Sequence, residues 1–67
     1  MLSGKHFRLT WDTLAIESVE GKRVAVTVPT GEIIGVIRGP RPDDERMLDV
    51  RWNGRPLVMF AKDVENP

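Results

Sequence analysis

The chain has 67 residues, with no cysteine, no tyrosine and a single histidine. Without cysteine there is no disulfide staple and no thiolate metal site. A metal centre built on His6 alone needs several carboxylates beside it, and no spacing in the sequence supplies them. Ser3 and Ser18 lack the Gly-x-Ser-x-Gly context of a nucleophile turn, and no triad is legible around His6. Aromatic side chains are scarce: two Trp and two Phe. Phe7 and Phe60 are expected to pack inside, which leaves too few rings for an exposed cage around a methylated side chain. Neither sign of charge predominates, with ten acidic and ten basic residues. The net basic footprint usual among nucleic-acid binders is therefore missing. No apolar run reaches membrane-spanning length. The opening MLSGKHFRLT lacks the apolar centre of a secretory signal, so the expected location is the cytoplasm. No window carries a sustained helical stripe.

What remains is alternation with a period of two, broken by Gly and Pro. Residues 1–67 read as one all-β domain with one modest core. Lys5–Thr10 is expected to form a first strand, with Phe7 and Leu9 on one side and a bend at Trp11-Asp12. In TLAIESVEGKRVAVTV, a type I turn with Gly21 as a left-handed bulge is expected. That register sets Ile16 against Val24, Leu14 against Val26 and Glu17 against Arg23. In VPTGEIIGV, Pro29 and Gly31 mark a turn. Ile34 and Val36 then share one face of a strand and Ile33 and Ile37 the other, with Gly35 expected at a bend. RGPRPDDER reads as a long exposed loop because Pro40 and Pro42 cannot donate to a ladder.

Asn53-Gly54 is a strong type I′ hairpin signal. It pairs Trp52 with Arg55, Val50 with Leu57 and Leu48 with Met59, and Leu48, Val50, Leu57 and Met59 make an inward face. On the other face it pairs Arg51 with Pro56, Asp49 with Val58 and Met47 with Phe60. Pro56 suggests that the second strand begins at an edge or a bulge. AKDVE is expected to add a short 3₁₀ turn, with Val64 plugging the end of the core.

VPTGEIIGVI, a charged loop, LDVRWNGRPLVMF and AKDVE together resemble the plan of the SH3-like small β-barrels. They are also similar to a group of small uncharacterised bacterial proteins with a VPxG turn and a late MFxxD segment. The resemblance implies a five-stranded, partly open barrel. Plasmid-borne dihydrofolate reductases resemble the same barrel, but their Val-Gln-Ile-Tyr is replaced here by Leu57-Val58-Met59-Phe60, which offers no hydrogen bonds to pterin. Phe60-Ala61-Lys62-Asp63 is similar to a Phe-Ala-Glu-Asp turn in a photosystem I subunit of this fold. That likeness supports the turn and not the role.

Trp52 and Arg55 face each other at the hairpin tip. They are either a recognition pair or a cross-strand cation–π stack. Arg38 and Arg41, from the proline-bearing loop, complete the candidate partner-binding set. The expected function is a non-enzymatic interaction or accessory module that binds a protein partner or a second copy of itself. No cofactor, metal or small-molecule substrate is inferred. The alternative is a Tudor- or KOW-like nucleic-acid-binding barrel using the arginine-rich region 38–55, although Asp43, Asp44, Glu45 and Asp49 are interleaved with the arginines. Met47, Val58 and Phe60, with Ile33 and Ile37, are either buried by curling of the sheet or form a contact surface.

Overall fold

Asn53 and Gly54 both adopt positive φ, 51° and 75°, as a type I′ turn requires. The two flanking strands follow from it. A computed structural model describes residues 4–65. Its strands are β1 (His6–Arg8), β2 (Thr13–Val19), β3 (Lys22–Val28), β4 (Ile33–Arg38), β5 (Met47–Trp52) and β6 (Arg55–Phe60), closed by one helical turn, α1 (Ala61–Glu65). The β5–β6 register agrees with the expected one at every pair, from Trp52↔Arg55 to Met47↔Phe60. Leu48, Val50, Leu57 and Met59 are all buried.

The strands form a single antiparallel sheet of six, in the order β1-β4-β5-β6-β2-β3, not closed into a barrel. The strand count thus exceeds the expected five. One side of the sheet gathers Ala15, Val28, Ile34, Val36, Leu48, Val50, Leu57 and Met59 into one core, with Leu9, Ala61 and Val64 at its margins. Val64 closes the core as expected, but from an α-helical turn and not a 3₁₀ turn. Pro56 lies on β6 beyond its short ladder with β2, which comprises Ala15↔Met59 and Ile16↔Val58. Its missing N–H therefore breaks no bond to β2.

The β2–β3 hairpin departs from expectation. Its loop is Glu20-Gly21, with φ of 51° and 79°, and Val19 pairs with Lys22. This is a second type I′ turn. The bulged register is replaced by Ile16↔Ala25, Ala15↔Val26 and Glu17↔Val24. The small residues Thr13 and Ala15 face the core, while Leu14 points outward and is 50% exposed. Strand twist favours the primed turn enough to place Glu20 in the left-handed region. The two-residue turn separates Leu14 and Ile16 from Val24 and Val26, which face the same side as Thr13 and Ala15.

Two glycines also differ from expectation. Gly35 sits in regular pairing with His6 and Arg51. The ladder irregularity falls between Val36 and Arg38, at Ile37. A Cβ on Gly35 would lie 3.1 Å from Nε2 of His6, so this glycine makes room for an imidazole. The Gly39–Glu45 stretch is not simply an exposed loop. Gly39 is buried, and Arg41 N–H donates to the Met47 carbonyl at 3.1 Å. Met47 N–H donates back to Asp44, and Ala61 N–H to Arg46. The turn at Pro29–Glu32 forms as expected with Gly31 at positive φ. Asp12 anchors it by accepting from Thr30 N–H at 2.9 Å.

Candidate functional site

The sheet separates the four expected contact residues into two groups. Alternation along β5 places Leu48, Val50 and Trp52 inward and Asp49 outward. Trp52 is half-buried and packs against the core. Its indole N–H donates to Glu32 Oε1 at 2.9 Å. Arg55 lies opposite, its guanidinium carbon 5.4 Å from the centre of the indole ring. Arg55 also grips Glu17 with a two-pronged pair whose Nε–Oε2 arm is 2.9 Å. These hydrogen bonds hold the Glu17 carboxyl below its ordinary range and the Arg55 guanidinium above it. Glu17, Glu32, Trp52 and Arg55 therefore form a polar rim on the inner side. The cation–π stack is present, with Trp52 Nε1 donating to Glu32 and Arg55 Nε and Nη2 donating to Glu17.

Arg38 and Arg41 lie on the other side of the sheet. Their Nε atoms approach the same Asp49 oxygen at 3.5 and 3.8 Å, and Arg41 also faces Asp43 at 3.8 Å. That Asp49 oxygen is buried and accepts no hydrogen bond among the described residues. The contacts are Coulombic pairings at long range and leave the guanidinium forks of Arg38 and Arg41 with donors to offer. Arg46 contrasts with them: it forms a two-pronged hydrogen-bonded pair with Asp44 at 3.0 and 3.2 Å. Hydrogen bonding from Arg46 keeps the Asp44 carboxyl below its usual range.

Around Asp49 the outer face is concave, and its lining mixes apolar with charged side chains. Two adjoining open depressions, of about 310 and 520 Å³, share Ile16, Ser18, Asp49 and Val58. Ile37 and Arg38 border one, and Met47 and Arg41 the other. Neither Trp52 nor Arg55 lines them. Met47, Val58 and Phe60 are half-buried here, whereas Ile33 and Ile37 remain 52% and 44% exposed.

No protein-family model, curated protein or solved structure matches the chain. The site is thus described by its own geometry. Among the described residues no group of three or more His, Cys, Asp or Glu is placed to hold a metal ion. Among the described residues no helix is long and apolar enough to cross a membrane. Ser3 lies outside the described residues. His6 is exposed on β1 above Gly35.

The sequence reading did not find Asp49, Glu17 and Glu32 as the residues that organise these groups. Glu17 was assigned to Arg23, but it meets Arg55, 38 residues away in sequence. Only the β2–β6 contact brings those two together, and no local spacing signals it.

Proposed function

We propose that the chain is a non-enzymatic interaction module whose contact face is the outer groove around Asp49. The reading keeps the SH3-like comparison as its frame. The β4-β5-β6 meander, its tight hairpin and the terminal helical turn support that frame, with the small barrel left open between β1 and β3. The observation that carries the function is the outer groove itself. Ile16, Ile37, Met47 and Val58 offer apolar surface there, beside Arg38 and Arg41, whose guanidinium donors are not exhausted. A protein segment with one apolar side chain and an adjacent carboxylate matches this chemistry. The apolar group would cover Ile37 and Val58, and the carboxylate would take two-pronged bonds from Arg38 or Arg41. A cytoplasmic setting suits the cysteine-free chain.

The nucleic-acid alternative draws less support, because Asp43, Asp44 and Asp49 are interleaved with the arginines and the formal net charge is zero, without the net basic footprint of such binders. Panning a displayed peptide library against the immobilised protein tests the proposal. Enriched peptides should pair an apolar residue with Asp or Glu. Their binding should fall by about tenfold or more with Ile37→Lys or with Arg38→Ala plus Arg41→Ala, as loss of an anchor or a charge-assisted pair implies. The reading fails if no peptide is enriched, or if those variants bind unchanged. It fails in favour of the alternative if the protein retains single-stranded oligonucleotide with a steep salt dependence.

A further inference from the structure

The two edges of the sheet are built differently. β1 is three residues long, follows Lys5 and ends on the charged Arg8. Short, charged edges resist pairing with another chain. β3 has seven residues, KRVAVTV, with no proline and an unbroken ladder to β2. Among the described residues nothing pairs with its other side.

The hairpin geometry identifies which backbone groups are open. In a two-residue hairpin the closing pair, here Val19↔Lys22, is hydrogen-bonded. Alternation then directs the N–H and C=O of Lys22, Val24, Val26 and Val28 toward β2. Those of Arg23, Ala25 and Thr27 point away, toward the open edge.

We propose that β3 pairs antiparallel with β3 of a second copy about a two-fold axis at Ala25. Ala25 is the midpoint of Lys22–Val28, so this register overlaps the whole strand. It is also one of the residues whose backbone groups face outward, so Ala25↔Ala25 becomes a hydrogen-bonded pair. Arg23 then meets Thr27 of the second copy, and Lys22 meets Val28. No two like charges stand opposite each other, which cross-strand pairing penalises. On the inner face Val24, 44% exposed as a single chain, meets Val26 in a closely spaced pair. On the outer face Ile16 and Ala25 of one copy continue into Ala25 and Ile16 of the other. Apolar side chains thus face apolar side chains along the two-fold axis, and the basic residues lie at the interface ends. One strand accepts its own copy at full length without a clash of charge, and this argues for self-pairing over another extended segment.

Ile16 borders both surfaces, but Ile37, Arg38 and Arg41 lie outside the interface, so variants there test the groove while the dimer stands, and Ala25 variants do the reverse. Sedimentation equilibrium from micromolar to millimolar concentration should show a monomer–dimer equilibrium. Ala25→Pro removes an outward N–H and leaves the β2 bonds intact. Loss of main-chain hydrogen bonds across the axis should weaken self-association by about tenfold or more, with an unchanged strand spectrum by circular dichroism. Ala25→Glu, which keeps the backbone and opposes two carboxylates, should do the same if the proline variant does not fold. In this cysteine-free chain, Ala25→Cys should form a disulfide-linked dimer on mild oxidation, and Glu45→Cys should not. A monomer at millimolar concentration overturns the proposal. So does a dimer that persists in a folded Ala25→Pro or Ala25→Glu variant, or equal cross-linking by the two cysteine variants.

Discussion

Gly39 and Glu17 show how much of this molecule depends on single side chains meeting across the sheet. Gly39 has φ of 150°, and a Cβ there would run into Leu48, at Cδ2 and close to its Cα. Leu48 is fully buried on the central strand β5 and cannot withdraw. Gly39→Ala should therefore cost about 1–3 kcal/mol by overpacking, and backbone strain adds to it. Gly54→Ala meets open space, and only the left-handed conformation opposes it, at about 1–2 kcal/mol. Urea unfolding midpoints should rank Gly39→Ala below Gly54→Ala and both below the parent. Glu17 gives a dependence on pH. Its folded carboxyl titrates below the ordinary range because Arg55 hydrogen-bonds the charged form. The stabilisation is therefore complete above that ordinary range, near pH 4–5, and is lost as pH falls through the lowered value. Thermal melts from pH 6 down to pH 3 should decline less steeply for Glu17→Gln than for the parent. An identical slope would remove Glu17 from the account.

At the scale of elements, two hairpins of the same turn type came out differently legible. Asn53-Gly54 announces its turn through residues that tolerate positive φ, and its strands alternate cleanly. The register of Met47–Phe60 was therefore readable pair by pair. Glu20-Gly21 adopts the same turn with a residue poorly suited to it, and the strand before it hides its core face behind Thr13 and Ala15. Replacing Glu20 by Asn should relieve that mismatch. Asn is several-fold enriched at positive φ, and Asn-Gly is the favoured type I′ pair. A gain of about 0.5–1 kcal/mol is expected, seen as a melting temperature raised by about 4 °C in a domain this small. A lowered melting temperature would mean that the turn is held by something other than backbone preference. The 39–45 segment was misread for a related reason. Pro40 and Pro42 correctly excluded a ladder, but the bonds that order the segment run to Met47, and Arg46 in turn tethers the start of α1. Of these, only the Arg46–Ala61 bond depends on where a distant element lies, whereas the Arg41, Asp44 and Met47 bonds are local turns that the prolines hid.

For the whole molecule, one core of small extent carries the fold, and its margin is narrow. A domain of this size rarely gains more than about 3–5 kcal/mol from a single core. Met59 is fully buried and lies on β6, which joins the β4-β5-β6 meander to the β2–β3 hairpin. Met59→Ala should cost about 2–5 kcal/mol, comparable with the entire stability. The variant should be largely unfolded by circular dichroism at room temperature, and a cooperative melt near that of the parent would show that the halves do not share one core. Alternation and turn dipeptides were enough to determine an all-β chain, the β5–β6 register and the inward set Ile34, Val36, Leu48, Val50, Leu57, Met59 and Val64. These features depend on periods and φ preferences carried by neighbouring residues. Tertiary structure alone decided that β2 docks on β6, that Glu17 meets Arg55, and that Arg38 and Arg41 share Asp49 across the sheet from Trp52. Those outcomes depend on which distant strands pair. Pairing is a balance of burial and loop closure over the whole chain, and no local window contains it.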